Sequence, residues 1–301
     1  DVNMPRMGGL ELLECLQKER IKTNVIMVST MTTRDADVTI LAMERGAVDF
    51  VTKPTNIIEA KGDAFRKEIL GILNAVLKTE RISLTERRPA VAAVSAVQKR
   101  NASAETRFKN KIVALACSTG GPKALQSVIP YLPANLDAPM VLVQHMPAGF
   151  TNSMANRLDE ISKINVKEAE NGEILKKGTV YIAPGGKHME VKKCPDGSHK
   201  IVYNDMPPIG GLKPCANITY DSLRTCGYDQ VVCVVLTGMG ADGTNGILEL
   251  SKVKPIYTIA QDAQTCVVYG MPKAIAETGL VNEVVPLTEV ANSITKNVGV
   301  N

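Results

Sequence analysis

The chain has no tryptophan, and aromatic residues make up only 4% of its 301 positions, so whatever cores it builds are aliphatic. No apolar run approaches the roughly 18 residues needed to cross a bilayer, and no signal peptide is visible; membrane insertion is not expected. The seven cysteines (15, 117, 194, 215, 226, 233 and 266) contain no C-x-x-C pair. An odd, unspaced set reads as reduced, buried thiols, as expected of a cytoplasmic protein. Only three histidines occur, and none has a His or Cys neighbour at metal-binding spacing, which disfavours a zinc site. No phosphate-binding G-x-x-x-x-G-K-[ST] loop is present.

What is present is 45% hydrophobic content over a length suited to two domains. The net charge of +4 is local. Between Lys78 and Lys111 nine Lys/Arg face three Asp/Glu, 9 − 3 = +6, which leaves 4 − 6 = −2 elsewhere. That Ala/Ser-rich segment lacks sustained periodicity and reads as a solvated linker, the most protease-sensitive part of the chain, with no nucleic-acid-binding role. It divides the chain into 1–76, a linker 77–108, and 109–301.

Both parts alternate strand and helix patterns. In the first, "GLELLECLQKER" is amphipathic, "NVIMVST" a strand, "DADVTILAMERG" a helix, "AVDFVTKP" a strand and residues 56–78 a final helix. In the second, "KIVALACS", "PMVLVQH", "YDQVVCVVLTG" and "PIYTIAQD" are strands whose continuous apolar runs suit a parallel sheet buried on both faces. "GTVYIAPGGKHMEVKKCPDGSHKIVYN" adds two or three antiparallel strands, which places His188 and His199 in or beside hairpin turns and therefore at the solvated surface.

Chemistry in such sheets gathers at the carboxyl ends of the strands. Ser118 ends the first strand of the second part, in "ACSTGGPKAL". It is either a helix N-cap or a nucleophile on a strand-to-helix turn. His145 ends "PMVLVQH" and could act as general base. Asp242 lies in "LTGMGADG", where it could accept Nδ1–H of His145, or simply serve a turn. Three strand ends offering Ser, His and Asp make a triad the better reading. The same loop spells G-x-G-x-x-G, with Asp262 about twenty residues on, but only 58 residues follow Gly243. A dinucleotide-binding half needs more strands than that, so Asp262 is expected to bind no ribose.

"DVNMPRMGG", Ser29 closing one strand and Lys53-Pro54 closing the next resemble the second half of a two-component receiver domain. The resemblance implies Asp1 as phosphoacceptor, with Ser29 and Lys53 contacting the phosphoryl group and the Asn3 carbonyl joining Asp1 around Mg²⁺. The acidic pair that would complete that metal site is not in the sequence. The chain is accordingly expected to be a fragment with a truncated flavodoxin-like receiver, in which Asp1 is not phosphorylated by small phosphodonors.

"STGGPKAL", "QHMPAGFTNSMANRL", "YIAPGGKHMEV", "LTGMGADGTNGI" and "TIAQDAQTCVVYGMPKAI" resemble the chemotaxis response-regulator protein-glutamate methylesterases across nearly all of 109–301. The resemblance implies a doubly wound, mainly parallel α/β catalytic domain carrying an antiparallel hairpin. It implies hydrolysis of glutamate γ-methyl esters, and deamidation of some glutamines, on methyl-accepting chemoreceptors by Ser118, His145 and Asp242. The backbone amides of Thr119 and Met239 would hold the oxyanion. No cofactor is implied for catalysis. A chemotaxis histidine kinase would be the phosphodonor, and the receiver a phosphorylation-controlled cover. One departure is "LKPCAN", ending at Asn217, where Arg-Pro-Ser-x-Asp is expected; substrate-side hydrogen bonding should differ there.

Overall fold

The computed structural model describes residues 1–30, 32–54, 63–85 and 108–301. The N-terminal part contains α1 (Gly9–Lys18), β1 (Ile26–Ser29), α2 (Thr33–Glu44), β2 (Asp49–Thr52) and α3 (Asp63–Thr85). The strands β1 and β2 pair in parallel, Ser29 beside Thr52, so both expected functional strand ends emerge on one edge. The helix α3 runs to Thr85, through residues expected to open the linker; the remainder of that expected linker up to 107, and residues 55–62, lie outside the described residues.

The C-terminal part is built on a parallel sheet. Its strands are β3 (Lys111–Cys117), β4 (Met140–Gln144), β5 (Asn165–Glu168), β6 (Thr179–Ile182), β9 (Gln230–Val235), β10 (Ile256–Gln261) and β11 (Glu283–Val285). Their spatial order is β11-β10-β9-β3-β4-β6-β5. As the apolar runs require, every residue of β3 and β4 is buried, and β9 is buried from Val231 to Val235. One face packs against α4 (Gly121–Gln126), α5 (Phe150–Ile161) and α9 (Val290–Val298). The other carries α6 (Ala216–Ser222), α7 (Thr244–Ser251), α8 (Met271–Ala276) and the antiparallel hairpin β7 (His188–Lys193) and β8 (His199–Asn204). The fold class therefore matches the sequence reading.

The chain leaves β3 toward β4 on one side and later fills the other side with β9, so the strand order reverses around β3. The crevice outside the carboxyl ends of these strands is where open α/β sheets place their ligands. Register aligns the strand ends at that crevice: Cys117 sits beside Gln144, and Ala116 beside Val235. Ser118, His145 and the loop after Leu236 consequently start from one level of the sheet.

The hairpin histidines are not at the surface. His188 is fully buried, with Nε2 3.2 Å from the Pro207 carbonyl. His199 accepts a 2.8 Å bond from the Gly227 amide and stacks on Tyr228 at 4.1 Å, and burial lowers its pKa. Turn proximity misled the sequence reading, because β7 and β8 fold back onto the sheet's second core rather than into solvent.

The N-terminal part lies against the crevice. Phe50 stacks on Phe150 with centroids 4.5 Å apart, and Arg157 forks onto Glu44 at 2.6 and 3.0 Å. Val48, Val51, Ile72 and Val76 form a small apolar cluster with Val268.

Behind the crevice, α6 and α7 cross at Gly246. A Cβ there would sit 2.8 Å from Tyr220 Cβ and 2.9 Å from the Asn217 carbonyl oxygen. Gly246→Ala would recover about 1 kcal/mol of helix propensity but overpack a fixed backbone at a cost of about 1–3 kcal/mol. A lower thermal midpoint is expected from calorimetry; a raised midpoint would refute this account of the crossing.

Candidate active site

Ser118 follows β3 directly, and its amide donates to the Thr237 carbonyl at 3.0 Å. It is not the helix cap, since that position belongs to Gly120 in a left-handed conformation. Ser118, Thr119, His145 and Met239 line a cavity of about 190 Å³ together with Asp49, Phe50 and Thr52. Among the described residues no backbone hydrogen bond is seen from the Thr119 or the Met239 amide. No hydrogen bond joins Ser118 Oγ to the imidazole among those residues.

His145 and Asp242 do meet. Nε2 lies 2.8 Å from Asp242 Oδ2, with both side chains buried. This reverses the expected ring orientation, in which Nδ1 faced the carboxylate. Nδ1 is instead buried without a partner and is left for the serine side. Sequence alone does not set which nitrogen is met, because Asp242 comes from the loop beyond β9, 97 residues downstream.

The carboxylate itself is densely held. Oδ2 also accepts from the Ala216 amide at 2.6 Å; Oδ1 accepts from the Asn217 amide at 3.1 Å, the Gly243 amide at 2.9 Å and Cys215 Sγ at 3.1 Å. Burial alone would raise its pKa, but the bonds from His145, Ala216 and Cys215 outweigh it and hold the group down at about 2. The Cys215 thiol is pushed up to about 12 by burial and by the Asp242 charge, so it stays a donor. Within the departure Lys213 to Asn217, Cys215, Ala216 and Asn217 thus face the carboxylate. Asn217 Oδ1 in turn accepts from the Gly243 and Gly246 amides at 3.1 and 2.7 Å. Gly238 permits the loop's approach, because a Cβ there would lie 2.9 Å from Ser118 Cβ.

Asp262, by contrast, accepts from the amide and hydroxyl of Thr265 in its own turn, at 2.9 and 2.5 Å. Cys117 is fully buried and its thiol pKa is driven far up by burial, which removes it as a nucleophile.

Two contacts were not legible in the sequence. Thr237 donates to the Thr119 carbonyl at 2.9 Å and accepts from the Val268 amide at 3.0 Å, fixing the turn after Ser118. Asp49 of β2 packs against the Thr119 hydroxyl and the Gly120 amide. Burial raises its pKa to about 7 in spite of those bonds and the one from the Phe50 amide. A strand-opening Asp carries no pattern that points to a neighbouring domain.

On the receiver-like edge, Lys53 Nζ is 2.5 Å from Asp1 Oδ2. Ser29 is buried and turned inward, accepting from the Thr39 hydroxyl at 2.8 Å. The Asn3 amide donates to Asp35 at 3.3 Å. No group of three His, Cys, Asp or Glu side chains converges among the described residues, so those present do not fit a Mg²⁺ shell by themselves. No helix among the described residues is long and apolar enough to cross a membrane.

Comparison with known proteins adds independent weight. The family model described as CheB methylesterase matches residues 113–294, and that for the response regulator receiver domain matches residues 1–61. The chain is 43% identical to the protein-glutamate methylesterase/protein-glutamine glutaminase of Pyrococcus horikoshii, over 99% of its own length and 79% of that protein's. It is 41% identical to that of Geobacillus kaustophilus, over 99% and 84%. The crystal structure of the Thermotoga maritima CheB methylesterase catalytic domain, 42% identical, superposes with a TM-score of 0.58 over 62% of this chain and 97% of that one.

The clamp on Asp242 has a measurable consequence. Its folded pKa lies below the unfolded value, so the stability contributed by its charge is fully present above the unfolded value near 3.8 and is lost as pH falls through about 2. Cys215→Ala should raise the lower edge of that window and cost about 1–3 kcal/mol at neutral pH, as for a lost bond to a charged acceptor. Cys215→Ser should restore both. Acid unfolding curves of the three proteins check this, and identical curves for wild type and Cys215→Ala would contradict it.

Proposed function

The chain belongs to the CheB methylesterase family and carries a receiver domain, and from that premise we propose that it hydrolyses glutamate γ-methyl esters on methyl-accepting chemoreceptors through Ser118, His145 and Asp242. It would also deamidate some receptor glutamines. The observation that carries the reading is the His145–Asp242 pair at 2.8 Å, whose imidazole lines the same cavity as Ser118.

Ser118 Oγ attacks the ester carbonyl carbon while His145 Nδ1 takes its proton. Asp242 holds the ring through Nε2–H and stabilises the imidazolium, as triad carboxylates do. The carbonyl oxygen becomes an oxyanion, received by the amides of Thr119 and Met239. Collapse breaks the bond to the alkoxy oxygen. Methanol (or ammonia from a glutamine) leaves with the proton from His145. Water, deprotonated by the same nitrogen, then cleaves the acyl-enzyme and restores Ser118, leaving a glutamate carboxylate.

In this proposal residues 1–76 act as receiver, 77–108 as linker and 109–301 as catalytic domain. A chemotaxis histidine kinase would be the phosphodonor, with Asp1 as the phosphoacceptor. Phosphorylation would loosen the receiver from the crevice. The Phe50–Phe150 stack, the Glu44–Arg157 fork and the Asp49 contact beside Ser118 support such a cover. The enzyme would work in the cytoplasm, on the receptors' cytoplasmic face, without nucleic acid and without membrane insertion.

Methanol release from methylated receptor tests the reading. Wild type should release methanol, and a serine-directed probe should label Ser118 and not Ser118→Ala. Asp242→Asn should lose about 10³–10⁴ in rate, since the amide offers the ring the wrong partner. Asp262→Asn should stay near wild type, and neither should bind nicotinamide dinucleotide. A near-normal Asp242→Asn rate would overturn the assignment.

A further inference from the structure

The side chain of Gln144, the last residue of β4, is almost wholly buried beneath the turn that carries Ser118. Its Nε2 donates to the Ser118 carbonyl and to the His145 carbonyl, each at 3.1 Å. Its Oε1 accepts from Cys117 Sγ at 3.0 Å. Two carbonyls can only accept and a thiol can donate, so this chemistry fixes the amide's orientation. Both amide hydrogens are therefore spent on the residues proposed as nucleophile and base.

The pocket leaves the amide no alternative position. A Cβ on Gly121 would fall 1.9 Å from Oε1, so the first residue of α4 has to be glycine for Gln144 to lie where it does. The Gly121 amide donates to the same Ser118 carbonyl at 2.7 Å. Ordinary sheet pairing supplies one further tie, from the His145 amide to the Cys117 carbonyl at 3.3 Å.

We infer that Gln144 is a positioning residue for the ester hydrolysis: one carboxamide locks the backbone of Ser118 to that of His145, and Gly121 exists to make room for it. The inference rests on the reading of Ser118 and His145 given above. Parallel strands set the spacing between the two chains but not the turn conformation beyond their ends, where both side chains begin. The amide supplies that missing constraint. Displacement of reacting groups by about 1 Å can cost about 10²-fold in rate.

The full chain is assayed on methylated receptor for kcat and KM, with the rate of Ser118 labelling by a fluorophosphonate and the thermal midpoint measured alongside. Gln144→Met keeps the volume without the bonds, and Gln144→Asn keeps an amide too short to span both carbonyls. In each, kcat and labelling rate should fall roughly 10–100-fold with KM nearly unchanged, the pattern of a constraint acting on the reacting groups alone. Gly121→Ala should lose a similar factor in the wild-type background. In the Gln144→Ala background the same change should cost little more, because its target is gone.

A folded Gln144→Met or Gln144→Asn protein with wild-type kcat would overturn the proposal, as would Gly121→Ala and Gln144→Ala effects that simply multiply. If Gln144→Met fails to fold, Gln144→Asn and the Gly121 comparison decide. Ser118→Ala separates the two levels. Residual hydrolysis there refutes the nucleophile, whereas a dead Ser118→Ala beside a fully active Gln144→Asn refutes only the role of Gln144.

Discussion

The site depends on keeping one carboxylate charged inside the protein. Asp242 is buried, and burial works against its charge, yet five donors converge on its two oxygens and hold its pKa at about 2. A carboxylate so held cannot rotate away from His145, and its charge is present at any physiological pH. Three of those donors are backbone amides, which cost no side-chain entropy to aim. The loop therefore exists to present Asp242 at one angle, and the helices around it are packed to that end. Cys215 and the Ala216 and Asn217 amides open α6, the Gly243 amide opens α7, and Asn217 ties the starts of the two helices together.

The parallel sheet provides the other half of the geometry. Because β3 is flanked by β4 and β9, residues at three strand ends reach one crevice although the first and last of them, Ser118 and Asp242, lie more than a hundred positions apart in sequence. Such long-range placement needs a rigid frame, and the fully buried aliphatic strands supply it. The frame leaves the turns beyond the strand ends unspecified. Thr237 and Gln144, both reaching under the turn after Ser118, complete what the ladder does not reach.

How much of this could be read from residues alone follows the same division. Apolar runs ending in Ser118, His145 and the Asp242 loop were legible, because strand ends in a parallel sheet are where function collects. Which imidazole nitrogen meets Asp242 was not, since that depends on the direction from which a distant loop arrives. Cys215 gives no sign in the sequence of touching the carboxylate; only its departure from Arg-Pro-Ser-x-Asp marks the segment. His188 and His199 were misplaced at the surface because local turn chemistry says nothing about what a hairpin packs upon. The contact of Asp49 with the Ser118 turn joins two parts of the chain and has no local signature at all.

In the proposed triad Asp242 fixes the proton of His145 on Nε2 and leaves Nδ1 to serve Ser118. Nitrogen-15 NMR of the full chain, labelled at histidine and recorded where the ring is neutral, reads this directly. The expected spectrum shows a protonated Nε2 hydrogen-bonded to the carboxylate and an unprotonated Nδ1 for His145, with that preference lost in Asp242→Asn. A neutral His145 protonated on Nδ1, or a spectrum indifferent to Asp242→Asn, would contradict it.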